Sequence, residues 1–346
     1  MQFGIIGSGS WATALAKILT DNGKKLHWWI RNEESIRLFL QKAHNPHYLS
    51  SAHFDLSTIS LSNDLVKVVQ ASDVLVVAVP AAYLAQVFAL LSPSDLKGKK
   101  IISAVKGILP EQNKLLNEVL QKEYAFSQED YFTVMGPCHA EEVAEEKLSY
   151  LTFSGIDEKT TGLIAQSFQT PYLKTVVNTD VYGVQYAAIL KNIYALGAGM
   201  AHGLDYGDNF LSVFIANSAD EMAVFLRKAG IMNAEVGYLE HGPQKSTDKI
   251  HHNYTASVYL GDLLVTCYSL HSRNRSFGNM IGKGYSVKAA QLEMNMVAEG
   301  YNASKCMHLI NQQILAEMPI AETIYKVLWE GLSPKRGFEE IESWLV

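Results

Sequence analysis

An apolar run followed by a glycine-rich turn, close to residue 1, constrains the fold most. Phe3-Gly4-Ile5-Ile6 leads into Gly7-Ser8-Gly9-Ser10-Trp11-Ala12, then into a helix-like segment and a second apolar run, Leu26-His27-Trp28-Trp29-Ile30. A Gly-x-Gly-x-x-Ala turn between a strand and a helix is typical of dinucleotide-binding folds. Gly7 allows the tight turn and Gly9 lets a pyrophosphate approach the backbone. The N-terminus of the following helix offers unpaired N–H groups to that anion.

Arg31, at the end of the second apolar run, bears on the choice of cofactor. Folds that select NAD usually place Asp or Glu here, where it binds the adenosine ribose. The planar guanidinium of an arginine instead suits a 2′-phosphate. We therefore expect NADP(H) to be accepted. NAD(H) stays open, because Glu33 is close enough to reach a ribose, and Arg31 is alternatively a solvated charge.

Length and composition limit the classes of protein to consider. The 346 residues fit two domains, and 48% hydrophobic with 18% charged residues fits a globular protein. The net charge of -6 argues against a nucleic-acid binder, and no apolar run is long enough to span a membrane. Cys138, Cys267 and Cys306 have no metal-ligand spacing and cannot all pair, so we expect no metal site. We also expect a reduced, cytoplasmic protein without a leader peptide.

Two regions of the chain differ in their hydrophobic pattern. Up to about residue 178, short apolar runs alternate with helix-like segments, which predicts an α/β domain with a Rossmann-type, doubly wound and mostly parallel sheet. From there on, alanine, leucine and helical spacing predict an all-α domain. We expect a dinucleotide-binding domain at 1–178 and a helical substrate and catalytic domain at 179–346. The predicted strands are Phe3–Ile6, Leu26–Ile30, Val74–Val79, Lys100–Val105, Tyr131–Met135, Tyr150–Phe153 and Leu173–Val177.

Polar clusters follow two of the predicted strands. Lys106 comes after one of them, and Gly136-Pro137-Cys138-His139-Ala140 comes after another. Ligands of open α/β sheets bind at the carboxyl ends of the strands, so we expect both segments to face a ligand. A helix beginning between Cys138 and Ala140 would add N–H groups for an anion. The alternative for Lys106 is a solvated loop lysine.

The helical region holds a second group of polar residues. Lys191 and Asn192 lie among small and apolar residues, which favours a desolvated functional amine over a lysine that extends to solvent. Asp262 and Thr266 are four residues apart and share a face if this segment is helical. Ser272-Arg273-Asn274-Arg275 is a compact set of phosphate and hydroxyl binders, with solvated arginines as the alternative.

These motifs resemble, in their order, bacterial NAD(P)-dependent glycerol-3-phosphate dehydrogenases, from residue 2 to about residue 330. The motifs that carry the resemblance are Gly7 to Ala14, Asn45-Pro46-His47-Tyr48-Leu49, Val79-Pro80, Ser103 to Gly107, Gly136-Pro137, Leu190-Lys191-Asn192, Tyr206 to Asn209, Gly261-Asp262-Leu263, Ser272 to Arg275 and Val297 to Gly300.

The resemblance implies reversible reduction of dihydroxyacetone phosphate to sn-glycerol 3-phosphate for phospholipid synthesis. It implies a homodimer, with Lys191 as proton donor and acceptor and with Lys106 and Asp262 also catalytic. The implied cofactor contacts are Gly7, Gly9, Ser10, Trp11, Arg31, Tyr48, Lys106, Ala140, Arg273, Val297 and Glu299. The implied substrate contacts are Lys106, Gly136, Cys138, Lys191, Asn192, Asp262, Ser272, Arg273 and Asn274.

The chain departs from the family pattern in several places, none of which removes Lys106, Lys191, Asp262 or Arg273. The departures are Cys138 for Ser or Thr, Gln185 for Glu, Ala187-Ala188 for a Gly pair, Asn217-Ser218 for Arg-Gly, and a longer segment at about 231–254. Two other functions stay open. One is a 6-phosphogluconate-type or 3-hydroxyacid dehydrogenase, and the other is a dinucleotide-binding regulatory protein without turnover.

Overall fold

The computed structural model describes residues 1–231, 257–294 and 298–346. The chain divides into two compact units, Met1–Val181 and Tyr182–Val346. Residue 178, the predicted boundary, is the last residue of the last strand. In the part of the chain that is described, no helix is both long enough and apolar enough to cross a membrane.

The first unit alternates strands with helices. Its strands are β1 (Phe3–Ile6), β2 (Leu26–Trp29), β3 (Ile59–Ser62), β4 (Val74–Val77), β5 (Lys100–Ser103), β6 (Tyr131–Met135), β7 (Ser149–Gly155) and β8 (Leu173–Asn178). Its helices are α1 (Ser10–Asp21), α2 (Glu33–Lys42), α3 (Leu65–Gln70), α4 (Leu84–Phe88), α5 (Leu116–Tyr124), α6 (Ala140–Ala144) and α7 (Glu158–Gln166), with 3-10 turns at Ala81–Tyr83 and Gln128–Asp130.

The eight strands form one sheet in the order β3-β2-β1-β4-β5-β6-β7-β8. The direction of winding reverses between β1 and β4, which is the position where doubly wound sheets bind ligands. Both faces of the sheet are covered, because alternate residues of its central strands β1, β2, β4, β5 and β6 enter different cores. Phe3 and Ile5 pack in one core with residues of α1 and α7, whereas Ile6 packs in the other with residues of α3, α4 and α5.

The fold-class prediction is confirmed, and the sheet is mostly parallel as expected. The edge strand β3 was not predicted, because Ile59–Ser62 has only one buried residue, Ile59, and therefore lacks an apolar run. Among the described strands, the one antiparallel pair, β6 with β7, has Thr133 opposite Ser154, and the apolar runs did not indicate which strands it would join. Burial on both faces removes the alternation that would distinguish an antiparallel pair.

The second unit is entirely helical in its described residues. After a wide π-helical turn at Ser257–Gly261, the chain continues directly into the helix that begins with Asp262. The helices are α8 (Val181–Gly203), α9 (Asp208–Lys228), α10 (Asp262–Tyr268), α11 (Arg273–Gly282), α12 (Val287–Glu293), α13 (Glu299–Ile314), α14 (Pro319–Trp329) and α15 (Pro334–Glu342).

Glycines let α8 and α11 approach until their backbones touch. A Cβ on Gly199 would lie 2.1 Å from the carbonyl oxygen of Arg275, and one on Gly278 would lie 2.0 Å from that of Leu196. No Cβ tolerates such contacts with a backbone atom, so both positions require glycine. This close crossing sets the spacing between the two helices that carry Asn192 and Asn274.

Candidate active site

The glycine-rich turn lies between β1 and α1, at the point where the winding of the sheet reverses. Gly7 has φ +124°, and a Cβ there would lie 2.6 Å from the carbonyl oxygen of Ala78, just beyond β4. By contrast, a Cβ on Gly9 would meet no atom within 4 Å. The turn is therefore tightly packed against the sheet on one side and open beside Gly9 on the other.

Helix α1 presents an uncompensated N-terminus beside this open space. Its N-cap is Gly9, without a side-chain cap, and its first turn holds no acidic residue. The first N–H groups of a helix have no intrahelical acceptor, and together they carry a partial positive charge. The N-terminus of this 12-residue helix is thus suited to an anion.

Trp11 and Lys106 lie together on this side of the first unit. The ammonium of Lys106 is 4.8 Å from the centre of the Trp11 ring. The indole Nε1 of Trp11 is buried and has no hydrogen-bond partner among the described residues. An unpaired buried donor costs free energy, so a polar ligand atom would fit there.

Arg31 follows β2 and precedes α2, and its side chain is exposed. Asn32 caps α2 by accepting a hydrogen bond from the backbone N–H of Ser35. Glu34 forms a bidentate ion pair with Arg37, at 2.7 and 2.5 Å, and this pair lowers the pKa of the Glu34 carboxyl. Glu34 is therefore occupied, whereas Glu33, the first residue of α2, is exposed and keeps the NAD alternative open.

The segment after β6 makes a tight turn and then begins a short helix. Gly136 has φ +135°, and a Cβ there would lie 2.8 Å from the carbonyl oxygen of Tyr150 in β7. The following helix α6 begins at Ala140, with His139 as its N-cap, and is only five residues long. Cys138 is buried and precedes the helix. The start at Ala140 lies within the expected range.

In the second unit, Lys191 and Asp262 form a buried ion pair. They are 71 residues apart in sequence, and Asp262 Oδ1 accepts a hydrogen bond from Lys191 Nζ. Their side chains are 4% and 2% exposed, so water screens this pair very little. Asp262 Oδ2 is buried with no hydrogen-bond partner in the described chain. Asp262 and Thr266 share a face as expected, because the Thr266 hydroxyl donates to the Asp262 carbonyl at 2.6 Å.

Asn192, which follows Lys191 in the sequence, forms a hydrogen bond with Asn274, and together they join three helices. Asn274 Nδ2 donates to Asn192 Oδ1 at 2.9 Å, and Asn274 Oδ1 accepts from the backbone N–H of Gly300 at 3.0 Å. A Cβ on Gly300 would lie 2.5 Å from the carbonyl oxygen of Asn192, so α13 packs directly on α8. The two amides therefore hold α8, α11 and α13 together.

The remaining predicted residues of the second unit begin helices. Ser272 caps α11 through its hydroxyl, which accepts from the N–H of Arg275 at 3.3 Å, and Arg273 is the exposed first residue of that helix. Glu299 is the first residue of α13. Val297 lies outside the described residues, as does nearly all of the longer segment at 231–254.

Two further titratable groups of the second unit, Cys267 and Glu221, are buried. Burial raises the pKa of the Cys267 thiol to about 12, although the positive charges of Lys191 and Arg275 oppose this rise. Cys267 is therefore a neutral thiol at neutral pH and is not available as a base. Burial also raises the pKa of Glu221 to about 7, even though the carboxylate accepts hydrogen bonds from the N–H groups of Ala321 and Ile320 and from Tyr194.

The sequence reasoning missed the groups that support these sites. It gave no role to Glu221, which caps α14 from α9, or to the crossing of α8 and α11 through their glycines. It also gave no role to Asn45, Thr13 and Trp28, which bind the glycine-rich turn. A buried asparagine or indole must find hydrogen-bond partners, but the sequence does not say where those partners lie.

Features of the first unit fit a nicotinamide dinucleotide. The open space at Gly9 and the free N-terminus of α1 suit a pyrophosphate, the exposed Arg31 suits a phosphate on the ribose, and Trp11 Nε1 is an unused donor. All of them lie at the carboxyl side of the strands, where such ligands bind.

Comparisons with known proteins identify both halves of the chain. Residues 2–161 match the family model of the NAD-dependent glycerol-3-phosphate dehydrogenase N-terminus, and residues 180–339 match that of its C-terminus. An NAD(P)+ glycerol-3-phosphate dehydrogenase of Salinibacter ruber is 32% identical over 99% of this chain and 96% of its own length. One of a Thermoanaerobacter species is 33% identical over 96% and 94%.

Solved structures agree in fold. The crystal structure of glycerol-3-phosphate dehydrogenase from Coxiella burnetii has a TM-score of 0.86 and 26% identity, covering 98% of both chains. The yeast glycerol-3-phosphate dehydrogenase structure has a TM-score of 0.78 at 22% identity, which shows a shared fold over 99% of both chains.

Proposed function

The chain belongs to the NAD-dependent glycerol-3-phosphate dehydrogenase family, and from this premise we propose that it catalyses the reversible reduction of dihydroxyacetone phosphate to sn-glycerol 3-phosphate. The cofactor is NADPH or NADH, and the product serves phospholipid synthesis. The observation that carries the proposal is the buried ion pair of Lys191 and Asp262, on helices that converge with the Asn192–Asn274 pair.

Lys191 is the proposed proton donor. When bound, the cofactor supplies the hydride from its nicotinamide. Negative charge then grows on the carbonyl oxygen at C2 of the substrate, and a buried ammonium stabilises that charge and delivers the proton. Asp262 Oδ1 holds the ammonium in one orientation. Asp262 Oδ2, which is buried and has no partner among the described residues, can accept a hydrogen bond from a substrate hydroxyl.

The substrate phosphate requires donors with positive charge. We propose that Arg273, Asn274 and the Ser272 hydroxyl bind the substrate phosphate at the N-terminus of the 10-residue helix α11. Lys106, Gly136 and Cys138 are the proposed substrate contacts of the first unit. Holding the phosphate, which does not react, fixes C2 in a reactive position and so raises the rate.

Most of the proposed cofactor contacts lie in the glycine-rich turn or after the ends of strands β2 and β6. Gly7, Gly9 and the N-terminus of α1 would hold the pyrophosphate, and Arg31 would bind the ribose phosphate that distinguishes NADPH from NADH. The other proposed cofactor contacts are Ser10, Trp11, Tyr48, Lys106, Ala140, Arg273, Val297 and Glu299.

The test is the loss of NADPH absorbance when purified protein is mixed with dihydroxyacetone phosphate, with NADH in parallel. We expect consumption with the phosphorylated ketone and none with dihydroxyacetone, which lacks the phosphate. A folded protein that binds NADPH but consumes neither cofactor would contradict the proposal and favour a different substrate or a binding protein without turnover.

We also propose an oligomeric state and a cellular location for the protein. The family resemblance supports a homodimer, which light scattering on a size-exclusion column would test. The cytoplasm is the proposed location, because all three cysteines are buried and form no disulfide, as is usual for proteins of a reducing compartment.

A further inference from the structure

We infer that Trp28, Asn45 and Thr13 form a lock on the carbonyl groups of the glycine-rich turn, and that this carbonyl lock holds the turn ready to bind the cofactor pyrophosphate. The inference rests on the proposed function, since it concerns the same cofactor site. All three are positioning residues, because they act through the backbone of the turn and are not proposed to touch the cofactor.

Three consecutive carbonyl groups of the turn each accept a hydrogen bond from a different element. Trp28 Nε1, on β2, donates to the carbonyl oxygen of Gly7 at 2.6 Å. Asn45 Nδ2, after α2, donates to that of Ser8 at 3.0 Å. The Thr13 hydroxyl, on α1, donates to that of Gly9 at 2.9 Å, beside the helical bond from the Thr13 backbone N–H to the same oxygen at 3.0 Å. The side chains of the lock are buried, with residue exposures of 0 to 2%.

The hydrogen bonds of the carbonyl lock allow only one arrangement. The Ser8 carbonyl can only accept, so the amide nitrogen of Asn45 must face the turn, and Asn45 Oδ1 accepts from the N–H of His47 at 3.0 Å. The same nitrogen also donates to the Thr13 hydroxyl at 2.8 Å, which leaves that hydroxyl's proton for Gly9. Because every polar atom is used, the network is rigid.

The direction of the carbonyl groups fixes the direction of the N–H groups. In a planar trans peptide the C=O of one residue and the N–H of the next point in opposite directions. With the carbonyls of Gly7, Ser8 and Gly9 held towards the protein, the N–H groups of Ser8, Gly9 and Ser10 point away from those donors. A rotated peptide would instead present a carbonyl oxygen to the pyrophosphate and repel it, so the lock keeps the anion site preformed.

The donors are themselves anchored in the core of the first unit. The Trp28 ring packs edge-on against Phe39 and Phe54, with centroids 5.4 and 5.7 Å apart. The loop that carries Asn45 is closed by a β-bridge between His44 and His53. The lock therefore connects the turn to side chains that are packed in the core of the first unit.

Substitutions that remove one donor at a time test the inference. In Thr13→Val, Trp28→Phe and Asn45→Ala, we expect the Kd of NADPH, measured without substrate by fluorescence titration, to rise about ten-fold, the value of one hydrogen bond. The Kd of NADH should rise by the same factor, because both cofactors contain the same pyrophosphate. The KM of dihydroxyacetone phosphate and kcat at saturating NADPH should change by less than about two-fold.

The chain offers matched controls for two of these variants. Thr20, also on α1, donates to the carbonyl oxygens of Ala16 and Lys17, so Thr20→Val removes a similar bond away from the turn. Trp29 donates to the carbonyl oxygen of Asn63, so Trp29→Phe removes a neighbouring indole donor. Both controls should bind NADPH as the unaltered chain does. Trp28→Phe keeps an aromatic ring in the core and removes the indole donor to Gly7, so it decides the matter if Asn45→Ala does not fold.

Two results would overturn the inference: unchanged NADPH affinity in folded Thr13→Val and Trp28→Phe, or a change in the ratio of NADPH to NADH affinity, which would place these residues at the ribose phosphate instead. The binding arm needs no turnover. An unaltered chain that binds NADPH but does not reduce dihydroxyacetone phosphate would therefore refute the proposed function and still let the variants decide on the lock. An unaltered chain that binds neither cofactor would refute both.

Discussion

The two units of the chain build their candidate sites from different materials. In the first unit, the anion site consists of backbone groups of one short segment, Gly7 to Ala12, and its first helical turn holds no acidic residue. In the second, a lysine and an aspartate 71 residues apart are buried as an ion pair. The first site depends on the conformation of a turn, and the second on helix packing that removes charged groups from water. A substitution at the turn should therefore affect cofactor binding, whereas a substitution in the ion pair should affect turnover.

The largest effect is expected at Lys191. Lys191→Met should lower kcat by about three orders of magnitude, the middle of the range for general acid catalysis, because no other group in the proposal supplies the proton. The Kd of NADPH should change by less than about two-fold, because Lys191 is not among the proposed cofactor contacts. Steady-state kinetics and fluorescence titration measure the two separately.

Lys17→Met is the matched control for this variant. Lys17 is also a buried lysine, paired with Asp21 at 2.6 Å and Glu146 at 2.9 Å, but it lies at the far end of α1 from the turn. The Lys17→Met variant should be less stable than the unaltered chain and should have the same kcat. If Lys191→Met retained turnover, Lys191 would not be the proton donor.

A second large effect is expected on stability. Gly278→Ala would place a Cβ 2.0 Å from the carbonyl oxygen of Leu196, and neither backbone can move without separating α8 from α11. We expect the free energy of unfolding to fall by at least ~3 kcal/mol, as for severe overpacking. Urea unfolding followed by circular dichroism measures this.

Gly162→Ala is the control for the glycine effect. Gly162 lies within α7, and a Cβ there would meet no atom within 4 Å. Alanine in an open helical position should stabilise the chain by about 0.5–1 kcal/mol. Equal effects of the two substitutions would show that α8 and α11 do not depend on glycine for their close approach.

The difference between the units also explains what the sequence could predict. The glycine-rich turn is local, and each glycine has a mechanical role that can be read from the strand and helix around it. The apolar surroundings of Lys191 indicated a functional amine, but its association with Asp262 depends on a long-range helix packing that no spacing rule encodes, so only the family resemblance indicated that the two act together. Strand β3 was missed because its four residues contain no apolar run, and the antiparallel pairing of β6 with β7 could not be located because both strands are almost continuously buried. Glu221 could not be identified at all, since a buried carboxylate resembles a surface one in sequence.

A smaller effect is expected on cofactor choice. Arg31→Asp should lower the preference for NADPH over NADH by ten-fold or more, roughly the value of a charge-assisted hydrogen bond to a phosphate. Affinity for NADH should not fall, because the pyrophosphate site is separate. Arg37→Asp, on α2 where Arg37 pairs with Glu34, is the control and should leave the ratio unchanged. A constant ratio in Arg31→Asp would remove Arg31 from cofactor selection.

The smallest expected effect is a dependence of stability on pH that belongs to the second unit. Burial raises the pKa of Glu221 from 4.5 to about 7, so the folded chain binds this proton more tightly than the unfolded chain. The contribution of Glu221 to stability is therefore largest below about pH 4.5 and is lost as the pH rises towards 7. In Glu221→Gln this dependence is absent, and the difference in Tm between the variant and the unaltered chain should shift in favour of the variant between pH 5 and pH 8. Glu317→Gln is the control, because Glu317 is exposed, lies just before α14 and loses the same charge without burial. Parallel curves of Tm against pH for the two chains would contradict this prediction. They would mean that Glu221 is ionised in the folded chain at every pH tested. The hydrogen bonds from the N–H groups of Ile320 and Ala321 at the N-terminus of α14 would then outweigh the cost of burying the charge.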